Sequence, residues 1–542
     1  MINPVIKMKT LLIGINSKYI HPNLAIRLLK ANCSYDVDIK EFNIKNTIND
    51  IYNFIIDNNY QIVGISCYIW NIELVKELLH LLKNKNIHII LGGPEVSYSA
   101  SYYLDNDLAD FIIKNEGEEA FDLLIRYLHN ENIKLEEIPN LYYKNHFTYD
   151  KLVDLSKTKM AYDLLDDVNN QIIYIETSRG CPYKCGYCMA SLDNKLRFFN
   201  IEEIKRQVLE LISKGGRVFK FLDRTFNANK KNFISLIDFI ILHHKENNSF
   251  QFEITGDLLD EDVIDYINKH SPKDLFRFEI GIQSTNIKAN RAVYRIQNND
   301  KLFRNIKLIQ DAGIIDLHLD LIAGLPYEDF PSFVNTFNEV ISLRPKELQL
   351  GFLKLLKGTK LYEEKDLYGY VFNQNAPYDI ISNNFLSKEE IISIHELEEA
   401  FDRFYNKDYY KTSINFILEN IDDPFDFFYK LGQEKLISKK LEDTFKTLDN
   451  FINKYYPNLY SKVHELLIID YLNCYYIKPG SWWKETILPK EKNELLREYS
   501  KKGLLNIDLN ILYKYSLVIP LESKNIIAIY QNNNRNIIIL DK

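Results

Sequence analysis

At 542 residues, 46% hydrophobic and 26% charged, the chain has the make-up of a folded globular protein with room for about three domains, and it is neither disordered nor fibrous. Its 75 acidic against 67 basic side chains leave a net charge of -8, which gives no general attraction to nucleic acid or anionic membranes. The N-terminal MINPVIKMKTLLIGIN has only a short apolar run and no small-residue cleavage site, and runs such as FISLIDFIIL fall short of the roughly 20 residues of a bilayer span, so a cytoplasmic protein without a membrane span is expected.

In residues 8 to 125, strand-like runs (KTLLIGI, YDVDIKEFNI, IVGISCYIW, IHIILGG, FIIKNE) alternate with amphipathic helical stretches (NLAIRLLKAN, ELVKELLHLLKN, EAFDLLIRYL). This alternation predicts a doubly wound parallel sheet, in which ligands bind at the strands' carboxyl ends, so INSKYIHPN, SCYIWN, GGPEVS and NEGEEA are the segments to inspect. Residues 140 to 170 form a polar connection with little periodicity, where a domain boundary is expected. Six more strands follow, at 172 to 177, 217 to 223, 249 to 255, 275 to 282, 317 to 325 and 347 to 353, with helices between them. The first of those helices is predicted to start at the N-cap Asn200 with Glu203 three residues on, and to stop at Gly215 and Gly216. Such a series predicts a partial (β/α)6 barrel of the TIM type, with chemistry at the strand C-termini.

From about residue 385 the pattern turns to long amphipathic helices, and SLVIPLESKNIIAIYQNNNRNIIIL reads as short antiparallel strands with an Asn-rich turn. The expected organisation is therefore 1–150, 168–380 and 385–542, the last a mainly helical domain of unassigned role. Its aromatic and lysine stretch, Tyr475, Tyr476, Lys478, Trp482, Trp483 and Lys484, is expected to serve core packing or a substrate lid rather than base stacking.

Three of the six cysteines, Cys181, Cys185 and Cys188, stand in ETSRGCPYKCGYCMAS directly after a predicted strand. Three thiolates on one tight loop hold three corners of a cubane iron-sulfur cluster and leave the fourth iron open to a ligand. The alternative is a zinc site, which usually takes four protein ligands in paired Cys-x-x-Cys hooks, and no second hook exists here. Cys33, Cys67 and Cys474 read as buried small hydrophobes.

The cysteine motif and the barrel around it resemble the radical S-adenosylmethionine (SAM) superfamily. The resemblance implies that Cys181, Cys185 and Cys188 bind a 4Fe-4S cluster whose free iron holds the methionine end of SAM, with Tyr187 near the adenine. FKFLDRTFN resembles the second-strand motif at the SAM amino group, with Asp223 where many relatives carry Gly-Gly-Glu. EIGIQS, with Glu279, Gln283 and Ser284, resembles the fourth-strand motif near the ribose, and Arg295 lies where an arginine approaches the SAM carboxylate. Glu253 is a further SAM-binding candidate. DLIAGLPYED and LLKGT resemble the fifth and sixth strand ends.

The first domain resembles the cobalamin-binding Rossmann-like domain that precedes this barrel in one subgroup. Its implied cobalamin contacts are His21, Ser66, Gly92, Gly93, Pro94 and Glu95, the glycines allowing close backbone approach. YIHPNL keeps a histidine but lacks the Asp and Gly of an Asp-x-His-x-x-Gly loop, so His21 is expected as a polar contact rather than an axial ligand.

Together the two resemblances imply a cobalamin-dependent radical SAM enzyme that cleaves SAM to a 5'-deoxyadenosyl radical and methylates an unactivated carbon of a small molecule or peptide. Its electron donor would be of the flavodoxin or ferredoxin type. The rivals are an oxidative cyclase or rearrangement enzyme using the same cofactors, a methylthiotransferase, and a cobalamin or redox sensor. A methylthiotransferase needs three further N-terminal cysteines, and only Cys33 and Cys67 precede the motif.

Overall fold

The computed structural model describes residues 8–144, 146–434, 440–477, 482, 487–531 and 534–542. They form two compact units, Met1–Ile391 and Ile392–Lys542.

The first unit opens with strands β1 (Thr10–Asn16), β2 (Asp38–Asn43), β3 (Ile62–Ser66), β4 (His88–Gly92) and β5 (Phe111–Ile113), all parallel in the order β2-β1-β3-β4-β5. Every residue of β1 and β3 is buried, as expected of strands covered on both faces by helices. The helices Leu24–Asn32, Ile48–Asp57, Ile72–Leu82 and Glu118–Leu128 supply that cover through Ile26, Ile55, Val75 and Phe121 among others. Two antiparallel strands, β6 (Leu141–Tyr143) and β7 (His146–Phe147), extend the sheet beyond β5. The stretch expected as a plain connection thus contributes an edge hairpin. Strands of three and two residues are too short to leave a period in the sequence.

A second sheet is built from β8 (Ile173–Ile175), β11 (Val218–Phe221), β12 (Ser249–Ile254), β13 (Phe276–Gln283), β14 (Asp316–Ala323) and β15 (Glu347–Phe352), parallel and in sequential order. Sequential order with a helix between each pair of neighbours is the open, partial barrel the sequence predicts. Between β8 and β11 the chain makes a small antiparallel ladder of β9 (Ser178–Arg179) and β10 (Arg197–Phe198).

Alternation divides the second sheet into two chemistries. Phe219, Phe221, Phe250, Phe252, Phe276 and Phe278 are fully buried; the Phe219 and Phe250 rings stack at 4.7 Å and the Phe221 and Phe252 rings at 4.5 Å. The intervening positions on the same strands are Lys220, Gln251, Glu253, Arg277 and Glu279. One face is therefore an aromatic layer against the helices and the other a polar, ionisable surface. The helix Ile201–Ser213 does begin at Asn200, whose side chain accepts from Glu202 N, but Glu203 bonds Arg206 and Gln207 instead of closing a capping box.

In the first unit, strands β16 (Val371–Phe372) and β17 (Ile380–Ser382) form a separate antiparallel pair. In the second unit, helices Lys411–Glu419, Pro424–Gln433, Leu441–Tyr455, Pro457–Cys474, Pro489–Lys501 and Leu509–Tyr515 precede antiparallel strands β18 (Ser516–Pro520), β19 (Lys524–Gln531) and β20 (Asn534–Asp541). Trp482 packs on Phe445 and Tyr471 and donates its indole N–H to Asp449 at 3.0 Å, so it serves core packing. Tyr476 is exposed and stacks under Arg535, while Lys478, Trp483 and Lys484 lie outside the described residues. Among the described residues no helix is long and apolar enough to cross a membrane.

Candidate functional site

The cysteine loop leaves the carboxyl end of β8 and is shaped by Gly180, whose φ of +87° suits only glycine and where a Cβ would meet the Lys195 carbonyl oxygen at 2.5 Å. Cys181 N donates to Asp193 O at 2.9 Å and Cys188 N to Cys185 O at 3.0 Å. Gly186 is pinned from two sides: its N–H donates to Val293 O and its carbonyl accepts from Leu361 N, both at 2.8 Å. All three thiols are free, with Cys181 and Cys185 buried. Burial pushes the Cys188 thiol up, an effect partly offset by the Arg224 guanidinium.

The donor set fits a 4Fe-4S cluster. Arg295 Nη1 lies 3.8 Å from Cys185 Sγ, so a fixed cation stands beside one of the three sulfurs. Among the described residues no three His, Cys, Asp or Glu side chains converge on a single ion position. Three thiolates that each bind a different iron of a cubane have no need to.

Behind the loop, Asp223 is 2% exposed and accepts from Thr177 N at 3.0 Å, Thr177 Oγ1 at 2.6 Å and Ser178 Oγ at 2.5 Å. Burial raises its carboxyl to about 6, with those donors opposing. Its oxygens are spent on the strand that leads into the cysteines, so it holds the loop's entry rather than presenting a free carboxylate. On the polar face of the second sheet, Lys220 Nζ donates to both oxygens of Glu279 at 2.9 Å, and Glu253 pairs with Arg224 at 3.6 Å. Burial raises the Glu253 carboxyl, and Arg224 and Lys220 work against that.

Gln283 sits at a bulge with φ +66°, and its buried Oε1 has no partner among the described residues. Ser284 is fully buried and donates to Glu328 at 2.5 Å, so its hydroxyl is turned inward to a carboxyl that burial lifts to about 7. Tyr187 is half-buried, its hydroxyl pushed up by burial while the Arg295 guanidinium works against that.

The implied cobalamin residues line the carboxyl edge of the first sheet. Gly93 has φ +109° and ψ 171°, and a Cβ there would meet Cys67 O at 2.4 Å, so the β4 turn admits only glycine. Gly92 O accepts from Cys67 N at 2.7 Å, and Pro94 starts a one-turn helix, Pro94–Ser97. Ser66 is buried, accepting from Asn23 Nδ2 at 2.8 Å. Glu95 accepts from Tyr378 OH at 2.6 Å, and burial raises its carboxyl. His21 Nδ1 lies 2.6 Å from Tyr174 OH, and burial lowers its pKa, so it is a neutral polar contact. At the same edge Trp70, 46% exposed, stacks on Tyr68 at 4.5 Å. That pair was not singled out in the sequence.

This edge faces the second sheet. Besides His21 with Tyr174 and Glu95 with Tyr378, Ile172 N donates to Ile20 O at 2.9 Å. The loop after β5 reaches the cysteine loop directly: Arg179 donates to Glu116 at 3.2 Å, Glu118 at 2.6 Å and Glu176 at 3.0 Å. Arg197 donates to Glu116 at 2.8 Å and Asp193 at 2.9 Å. In the loop NEGEEA, one of the segments at the strands' carboxyl ends, Glu116 and Glu118 brace the cysteine loop.

Three family models match the chain: "B12 binding domain" over residues 10–125, "Radical SAM superfamily" over 175–340 and "Protein of unknown function (DUF4080)" over 366–517. The chain is 27% identical over 210 residues to "Uncharacterized methyltransferase PH0819" of Pyrococcus horikoshii, a match spanning 35% of this chain and 45% of that protein. It is 20% identical over 428 residues to the 2-(S-pantetheinyl)-carbapenam-3-carboxylate methyltransferase of Streptantibioticus cattleyicolor, spanning 69% of this chain and 61% of that one. It thus spans less than two thirds of the length of either. Its fold is similar to that of OxsB, a cobalamin-dependent SAM radical enzyme solved with aqua-cobalamin and SAM bound, at a TM-score of 0.61 and 17% identity over 92% of this chain and 85% of that one. The two recognised domains imply a 4Fe-4S cluster with SAM and a cobalamin. The chain thus carries a B12-binding domain followed by a radical SAM domain.

Proposed function

We propose that this protein is a cobalamin-dependent radical SAM methyltransferase that methylates an unactivated carbon. The observation that carries the reading is the direct apposition of the two ligand edges: the loops after β1, β4 and β5 each bond a residue on or near the cysteine-bearing sheet. A corrinoid and a cluster held at those edges would face one shared space. When bound, they supply reductive SAM cleavage to a 5'-deoxyadenosyl radical and delivery of a methyl group to carbon.

The chain's own residues divide the remaining work. Cys181, Cys185 and Cys188 hold the cluster. Asp223, Gly180 and the Glu116 clamp fix the loop that carries them. Tyr187, Glu253, Glu279 and Gln283 line the SAM side, where the Gln283 oxygen, without a partner among the described residues, is placed to accept from a ligand hydroxyl. Ser66, Gly92, Gly93, Pro94 and Glu95 form the cobalamin side, with His21 held by Tyr174 rather than free to rise to a metal. Substrate, a small molecule or peptide, enters between the two edges, and a flavodoxin- or ferredoxin-type donor supplies electrons in the cytoplasm.

Anaerobic protein from cobalamin-fed cells should carry about one cobalt per four irons, and Cys185→Ala should abolish 5'-deoxyadenosine formation; deoxyadenosine formed by that variant would overturn the reading. S-adenosylhomocysteine among the products marks methyl transfer, whereas deoxyadenosine alone marks the cyclase or rearrangement reading.

A further inference from the structure

The segment Val293–Arg295 is a saddle for the middle of the cysteine loop. Val293 O accepts from Gly186 N at 2.8 Å, and the Tyr294 ring lies so close to Gly186 that a Cβ there would meet it at 3.2 Å. Arg295 completes the set: Nε donates to Gln297 Oε1 at 3.1 Å, Nη2 to Gly281 O, and Nη1 points at Cys185 Sγ, 3.8 Å away. Two of its three donor groups are spent on fixed protein acceptors, so the guanidinium plane is locked and the third donor is aimed at sulfur. An arginine held this way is a poor candidate for swinging onto a mobile carboxylate and a good one for a permanent charge beside the cluster.

We propose that Arg295 is a positioning residue that sets the reduction potential of the cluster through Cys185, by donating a charge-assisted hydrogen bond to its sulfur. The proposal rests on the reading that Cys185 is a cluster ligand. Accepting one electron from the donor makes the cluster more negative, and a fixed cation next to a ligand sulfur stabilises that reduced state more than the oxidised one. Losing the cation therefore moves the potential down and makes reduction harder.

The test is an EPR-monitored redox titration of the full-length, cluster-loaded protein without SAM, comparing wild type with Arg295→Met and Arg295→Lys, alongside SAM affinity measured by equilibrium dialysis. Arg295→Met is expected to lower the reduced-to-oxidised ratio about tenfold at fixed poise, which is a shift of about 59 mV for one electron. Arg295→Lys, which keeps the charge but not the fork, is expected to fall between the two. An unchanged potential in Arg295→Met overturns the proposal, and if SAM affinity falls at the same time the residue is a SAM carboxylate clamp instead. If neither variant retains iron, Arg295 is only a prop of the loop and the proposal also falls. A wild-type protein that takes up no cluster would instead sink the reading of the cysteines themselves.

Discussion

Arg179 and Arg197 stand directly opposite each other across the β9–β10 ladder, and one carboxylate from the other domain, Glu116, accepts from both. Like charges across a ladder repel, so this pairing depends on the carboxylates around it. Burial alone would raise Glu116; the Arg197 and Arg179 guanidiniums outweigh it and hold the carboxyl below its usual range. Glu116→Ala should cost about 2 kcal/mol, short of a fully orphaned buried charge because Arg179 keeps Glu118 and Glu176 and Arg197 keeps Asp193. Urea unfolding of the full chain, with iron content measured in parallel, checks this; an unchanged midpoint and full iron loading would refute it. The stability tied to Glu116 is present above its unfolded pKa of about 4.3 and is lost as pH falls below that.

Asp223 shifts the other way. With its folded value near 6 and an unfolded value of about 3.9, the folded state binds the extra proton between those pH values. Its contribution is full below about pH 4 and is lost as pH rises through 6. Asp223→Asn should flatten that part of the stability profile of the cluster-free protein. Asp223→Ala should cost about 2 kcal/mol by stranding the Thr177 and Ser178 donors.

Gly93→Ala places a Cβ against the Cys67 carbonyl in a backbone region only glycine occupies, at about 2 kcal/mol. The expected outcome is protein that keeps its iron and loses cobalamin on gel filtration. Loss of iron with cobalamin retained would contradict the placement of the two ligand edges.

Tyr378→Phe removes the donor to Glu95, whose carboxyl burial already raises. The loss, about 1.5 kcal/mol at pH 7, should shrink by pH 4, where Glu95 is protonated with or without the hydroxyl. Thermal unfolding at the two pH values reads the difference.

What the sequence made legible was local. The cysteine spacing, the six strand runs of the second sheet and the turn at Gly92 and Gly93 all lie within a few residues of the feature they define. What it hid was long-range: the Glu116 partnerships with Arg179 and Arg197 span 63 and 81 residues, and no helical or strand period encodes such a pair. Asp223 lies in a stretch the resemblance picked out, but its direction, inward to Thr177 and Ser178, is set by how β8 and β11 register. The edge hairpin at Leu141–Phe147 was invisible because its strands are too short to alternate.

The two-chemistry second sheet has a further consequence for how the chain finds its fold. A slip of one residue in β11, β12 or β13 would turn buried phenylalanines into the ionic face and drive Lys220, Glu253 or Glu279 into the aromatic layer. Each wrong pairing is thus penalised twice, by apolar surface left wet and by charge left dry. The same alternation that builds the floor of the site proofreads the strand pairing that places it.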